Sequence, residues 1–142
     1  MRDGLVKPGS IVVSSLSGAS GAGKKADTTL IFAEVNESLR AYGAPKHRHL
    51  SEIEQELSIA ASEEVLISFV PHLMPITAGI ATTIFCAPSS HGENISSKVA
   101  DSLNKAYSES AFVRILGEGK FADTKYVVRT NFVDIGLSLI HI

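Results

Sequence analysis

Residues 65–70, Val-Leu-Ile-Ser-Phe-Val, restrict the fold more than any other stretch of the chain. A run that is apolar at odd and even positions alike has no wet face, so it reads as a strand covered on both sides. Pro71 brings no N–H to a ladder, and the strand is expected to stop there. Such a strand needs neighbours. Residues 11–13, Ile-Val-Val, form a β-branched run between Gly9 and Gly18, and residues 76–85 alternate loosely after the Pro71-His-Leu-Met-Pro75 turn. Shorter strands are expected over residues 112–116, 125–128 and 131–135; residues 28–42 are ambiguous, with Leu30, Ile31, Ala33 and Val35 suiting a strand or a buried helix and residues 38–42 suiting a short strand. Two helices complete the set. Ser51 and Glu54 have capping-box spacing ahead of Ile53 and Leu57, which starts a helix over about residues 51–61. Ile95, Val99, Leu103 and Tyr107 recur every fourth residue, which gives an amphipathic helix over residues 94–107. This order lacks regular βαβ alternation, so a dinucleotide-binding fold is not indicated. The expected class is α+β, a mixed β-sheet with helices packed on one face.

At 142 residues the chain is one domain or a piece of a larger one. Its net charge of −2 is scattered without a basic stripe, which argues against nucleic acid as a partner. No apolar run is long enough to span a bilayer, so no membrane partner is expected. Cys86 is the single cysteine, which excludes an internal disulfide and points to a reducing cytoplasm. The ends read as those of a fragment. The Lys7-Pro-Gly9 turn leads straight into a strand. The last six residues, Leu-Ser-Leu-Ile-His-Ile from 137 to 142, match one reading frame of a common sequencing-library adaptor, leaving 1–136 as the natural partial domain.

Chemistry is expected in the stretch Ala41-Tyr-Gly-Ala-Pro-Lys-His-Arg-His-Leu-Ser-Glu52. His47 and His49 lie two residues apart, and histidine titrates nearest neutrality, so the pair suits proton transfer or cation binding. Glu52 falls in the first turn of the following helix, where the dipole favours a carboxylate. A surface loop is the plainer reading. A zinc site is weak without a third ligand of suitable spacing, and no metal is expected. The second informative stretch is Ser17-Gly-Ala-Ser-Gly-Ala-Gly-Lys-Lys25. Its glycines allow tight turns that could expose N–H groups to an anion, although a plain glycine-rich connecting loop is the stronger reading. Gly18, Gly23 and Lys24 nearly satisfy a P-loop, but Lys25 stands where a hydroxyl should hold magnesium, so a nucleotide-binding module remains only an alternative.

Taken together, Ser17 to Gly23, Ala41-Tyr-Gly43, His47-Arg-His49 with Glu52-Ile53, Pro71-His-Leu73 with Pro75, and residues 131–136 follow one another in an order that resembles one family. That family is the N-acetyl-gamma-glutamyl-phosphate reductases, whose C-terminal catalytic and dimerisation half the chain resembles from about residue 4 to 136. The resemblance implies an NADP-dependent oxidoreductase of arginine biosynthesis, related to aspartate-semialdehyde dehydrogenase. It acts on a small-molecule acyl phosphate as a homo-oligomer, and its N-terminal nucleotide-binding domain is missing here. A cysteine would attack the acyl phosphate, and hydride from NADPH would reduce the resulting thioester to N-acetylglutamate semialdehyde. His47 matches the family's acid–base histidine. Ser17, His49 and Glu52 match positions that bind or orient the substrate. Gly18, Ser20, Gly21 and Gly23 would approach the cofactor.

Three departures accompany the resemblance. The nucleophilic cysteine would fall before residue 1, and Cys86 is expected to be a buried, inert thiol instead. Ala78 and Lys24 stand where the family usually has arginine, which leaves open the lysine-pathway paralogue that reduces an aminoadipyl phosphate. His72 is expected to be structural. The fragment alone is expected to lack reductase activity.

Overall fold

The computed structural model describes residues 1–24, 26–90 and 94–139. It is an α+β arrangement, as the order of runs implied. Four strands form a mixed sheet in the order β2–β3–β1–β4: β1 Val12–Ser17, β2 Arg40–Ala41, β3 Ser68–Leu73 and β4 Ile80–Phe85. β1 runs parallel to β3 and antiparallel to β4, while β2 is antiparallel to β3. A second, two-stranded parallel sheet joins β5 Val113–Glu118 to β6 Val133–Leu137. The helices are the single turn α1 Phe32–Val35, then α2 Leu50–Ala61 and α3 Ile95–Tyr107.

Several local expectations need correction. Strand β3 does not stop at Pro71 but passes through it, opposite Ser15 of β1. The Ser68 N–H points at Ile11 O in the β1 direction, so alternation turns the Pro71 nitrogen towards β2. There β2 pairs only Arg40 and Ala41 with Leu73 and His72, so the missing N–H falls just past the end of that pairing. Pro71 still accepts a bond from Tyr42 N at 3.0 Å. The capping box does not form either. Helix α2 starts at Leu50 with His49 as its N-cap, and no side chain caps it. Glu54 instead accepts the Ile67 N–H at 3.1 Å, and Ser58 Oγ accepts that of Val65 at 2.9 Å, so α2 is laced to the chain entering β3. Residues 125–128 form no strand; a 3₁₀ turn, Thr124–Tyr126, is set by the Asp123 side chain accepting from Lys125 N. Residues 28–42 resolve into a 3₁₀ turn, α1 and β2. Leu137 closes β6, and residues 140–142 of the expected tail lie outside the described residues.

The core is small. Ile11, Val13 and Val65 are buried, with Leu57 and Ala61 of α2, Ile67 and Phe69 packed around them. Side-chain alternation assigns the sheet two distinct faces. Val13, Ser15 and Ser17 share one face with Phe69, Pro71, Leu73 and Arg40, because these are register partners or two residues apart. A bond between Ser15 Oγ and Thr82 Oγ1, 3.0 Å long, extends that face to β4. Helix α2 covers its Val13–Phe69 end. The opposite face carries Val12, Ser14, Leu16, Val70, His72, Ala81, Thr83 and Phe85 without a single charge. Among the described residues no helix is long and apolar enough to cross a membrane.

Candidate active site

Strand register arranges the α2 face in rows. One row runs Ile80, Ser17, Leu73, Arg40; the next runs Thr82, Ser15, Pro71, with Tyr42 bonded to Pro71; a third holds Ile84, Val13 and Phe69. His47 stands over the edge of this face. Its ring centroid lies 5.5 Å from that of Tyr42 and 5.4 Å from that of Phe69, both edge-on. His49 approaches from the third side at 5.1 Å. The imidazole is therefore half-buried against the face that also holds Ser17, and not turned out to solvent. Ser17 and Phe69 occupy rows about 13 Å apart, four residues at roughly 3.3 Å each.

The seat of His47 is built by its own loop. Gly43, at φ +63°, leaves room for the ring, since a β-carbon there would lie 2.9 Å from His47 Cδ2. The Ala44–Pro45 peptide is cis, and His47 O accepts the Leu50 N–H at the start of α2. His49 N donates to His47 Nδ1 at 3.3 Å. That bond occupies the Nδ1 lone pair and leaves the ring proton of neutral His47 on Nε2. Burial lowers the His47 pKa, and the neighbouring His49 and Arg48 charges lower it further, so the ring is neutral near pH 7.

The sequence-derived residues divide into two groups. Ser17 and His47 share the face; His49 touches His47 through its ring and its backbone N–H. Glu52 sits in the first turn of α2, exposed, with no side-chain hydrogen bond or ion pair among the described residues. Among those residues no cluster of three or more His, Cys, Asp or Glu is suited to hold a metal.

The glycine loop differs from the open cradle that its composition suggested. Gly18, Ala19 and Ser20 donate their N–H groups to Gly79, Ile76 and Thr77 carbonyls, while Gly21 and Gly23 donate back to Gly18 and Ser20. Those five donors are spent on the Pro75 turn and on the loop itself, so they form no phosphate nest. Glycine is needed here for packing. A β-carbon on Gly18 would lie 2.9 Å from Ala78 N and Ile76 O, and one on Gly21 would lie 3.2 Å from Ser17 Oγ. Lys25 of the near-P-loop lies outside the described residues. Beside the loop opens a cavity of about 740 Å³, lined by Ser20, Gly23, Phe32, Asn36, Pro75 and Thr77 among others.

Cys86 is exposed, contrary to the expected burial, because it leaves β4 at that strand's outer end. Its thiol still has enough neighbours for burial to push the pKa up. It also lies beyond Phe85, which pairs with Val12 at the far end of β1 from Ser17. His72 sits on the opposite face, with Nδ1 buried and unpartnered. Arg40 and Phe69 lie outside the sequence motifs, and Tyr42 entered only as part of Ala41-Tyr-Gly43. Strand register brings Arg40, on the short strand expected over residues 38–42, and Phe69 to the Ser17 face, while the Tyr42 ring reaches His47 within their shared loop.

The domain is thus built on a mixed sheet in the order β2–β3–β1–β4, with α2 on one face and His47 at its edge. The semialdehyde dehydrogenase dimerisation-domain model matches residues 1–141, and the chain belongs to that family. Over 135 residues it is 55% identical to the N-acetyl-gamma-glutamyl-phosphate reductase of Akkermansia muciniphila, covering 95% of this chain and 38% of the relative. It is 43% identical to the enzyme of that name from Acetivibrio thermocellus, covering 96% of this chain and 39% of the relative. The chain thus spans about two-fifths of the length of these relatives. Among solved structures, aspartate semialdehyde dehydrogenase II of Vibrio cholerae superposes with a TM-score of 0.62 at 12% identity, covering 92% of this chain and 44% of that one. A probable aspartate-semialdehyde dehydrogenase of Pseudomonas aeruginosa gives 0.63 at 8% identity, covering 92% and 45%. At such low identity these two show the fold alone.

Proposed function

We propose that this chain is the catalytic and dimerisation portion of a cytoplasmic, NADP-dependent reductase that converts N-acetyl-glutamyl 5-phosphate to N-acetylglutamate 5-semialdehyde. The observation that carries the reading is the seat of His47, a neutral imidazole held between Tyr42 and Phe69 on the Ser17 face. The name shared by the relatives at 55% and 43% identity supports the choice of substrate.

In this reading the acyl phosphate lies across the Ser17–Arg40 row. Arg40 meets an anionic group of the substrate, because a guanidinium offers forked donors that match carboxylate or phosphate. Ser17 Oγ, which among the described residues bonds only the adjacent Gly18 O at 3.2 Å, is available to position the acyl group. The sulfur nucleophile comes from sequence outside this chain, and the raised pKa of Cys86 disfavours it for that role. When the carbonyl becomes an oxyanion, the Nε2–H of His47 donates to it, and the fixed ring needs no reorganisation to do so. NADPH, when bound, would supply the hydride and leave as NADP+. The cavity beside Ser20 and Gly23 would hold its nicotinamide end, with the phosphates bound by the N-terminal domain.

The test is to join this chain to its upstream domain and assay N-acetyl-glutamyl phosphate against the aminoadipyl phosphate of the lysine pathway. The reading expects NADPH consumption with the first alone. The isolated 142 residues are expected to turn over neither.

A further inference from the structure

Residues 27–36 form a strap along the mouth of the cavity, made of the 3₁₀ turn Thr28–Leu30 and α1. Val35 is its buried seat, whereas Phe32 is 81% exposed and Ile31 51% exposed over the opening. The strap is flanked by two residues in left-handed backbone, Gly23 at φ +72° and Glu37 at φ +56°. Three residues beyond Glu37, Arg40 sits on β2 in the same row as Ser17, yet its Nη2 reaches back to donate to Thr29 O. Thr29 is itself pinned, since Asp27 Oδ1 accepts from its N at 2.9 Å and from its Oγ1 at 2.7 Å. One guanidinium thus joins the strap to the row proposed for substrate.

We propose that Arg40 couples anion binding on the Ser17 row to closure of this strap. A guanidinium has five donors in a rigid plane, and the Thr29 bond uses one, leaving the others for a carboxylate or phosphate. In the free protein the long side chain samples several rotamers, and each departure releases Thr29. A bound anion holds the plane by charge-assisted bonds, which are about twice as strong as neutral ones. The same rotamer then keeps Thr29 fixed, and Ile31 and Phe32 settle over the cavity. The inference rests on the substrate reading of the Ser17 row. It adds a gate that shuts only when the anionic ligand has arrived.

The test is amide hydrogen exchange across residues 28–35 of this chain, with and without inorganic phosphate, alongside calorimetry of phosphate binding. Circular dichroism checks the fold of each variant. In the wild type, phosphate is expected to slow strap exchange by at least about threefold. In Arg40→Ala the strap exchanges faster without phosphate, and phosphate changes nothing. Arg40→Lys keeps the charge but cannot span two acceptors as a planar fork, so phosphate binds without protecting the strap. The chain has no tryptophan, so Phe32→Trp adds a clean reporter whose emission is expected to shift to the blue with phosphate. Phosphate that binds through Arg40 while strap exchange and the indole emission of the Phe32→Trp variant stay unchanged overturns the coupling and leaves the site reading standing. Equal protection in Arg40→Ala also overturns it. Phosphate that fails to bind, or binds equally without Arg40, overturns the site reading and the coupling together.

Discussion

Gly43 and His47 are packed so closely that a β-carbon on the glycine would stand 2.9 Å from Cδ2 of the imidazole. The glycine also holds φ +63°, a conformation that costs other residues roughly 1–2 kcal/mol. Gly43→Ala is therefore expected to lower stability by about that amount and to push the ring off Tyr42 and Phe69. The His47 imidazole resonances should move towards random-coil values, and activity of the rejoined protein should fall by about tenfold or more.

The pH behaviour of His47 follows from its lowered pKa. Between that value and the unfolded value of about 6.5, the unfolded chain binds the proton more readily than the folded one. Stability should be flat above this window and decline as pH falls through it. NMR titration should give a midpoint below that of an unfolded control, and His47→Gln should remove this part of the acid-side loss.

The lacing of α2 to β3 is testable apart from chemistry. Glu54→Ala would leave the Ile67 N–H without its acceptor, and Ser58→Ala would do the same to Val65 N–H. Val65 is almost fully buried, so Ser58→Ala should be the costlier change, about 1–3 kcal/mol by denaturant titration. Glu54→Gln keeps a carbonyl acceptor and should cost less than Glu54→Ala.

Much of the frame was legible in the chain. The apolar runs pointed to β1, β3 and β4, and a four-residue spacing to α3, although β3 begins only at Ser68, past the start of its run, and every residue of β4 is exposed. Pro71 misled, since the harm of a missing N–H depends on which neighbour it faces, and that is a matter of sheet order. Ser51 and Glu54 misled for a related reason: the Ile67 backbone, thirteen residues on, claimed the carboxylate. The His47–His49 pair could be read locally. Its contact with Phe69 could not, because strand register alone brings that ring to the face. In the glycine loop, composition shows that N–H groups exist, not what accepts them.

The uncharged sheet face is expected to be where two copies meet, in keeping with a dimerisation-domain family. Val12 is 45% exposed there, in a face with no charge to pair. Val12→Glu would bury an unpaired carboxylate on association. Light scattering across a concentration series should show self-association of the wild type and a shift of Val12→Glu towards monomer.

The account turns on His47 as the group that hands a proton to the reacting carbonyl. The most direct measurement is steady-state turnover of N-acetyl-glutamyl phosphate by the protein rejoined to its upstream domain, with His47 intact and as His47→Gln. Loss of that donor should lower kcat by about a hundredfold or more, with KM changed little. A kcat within about threefold of wild type, in a variant that folds normally, would contradict the account.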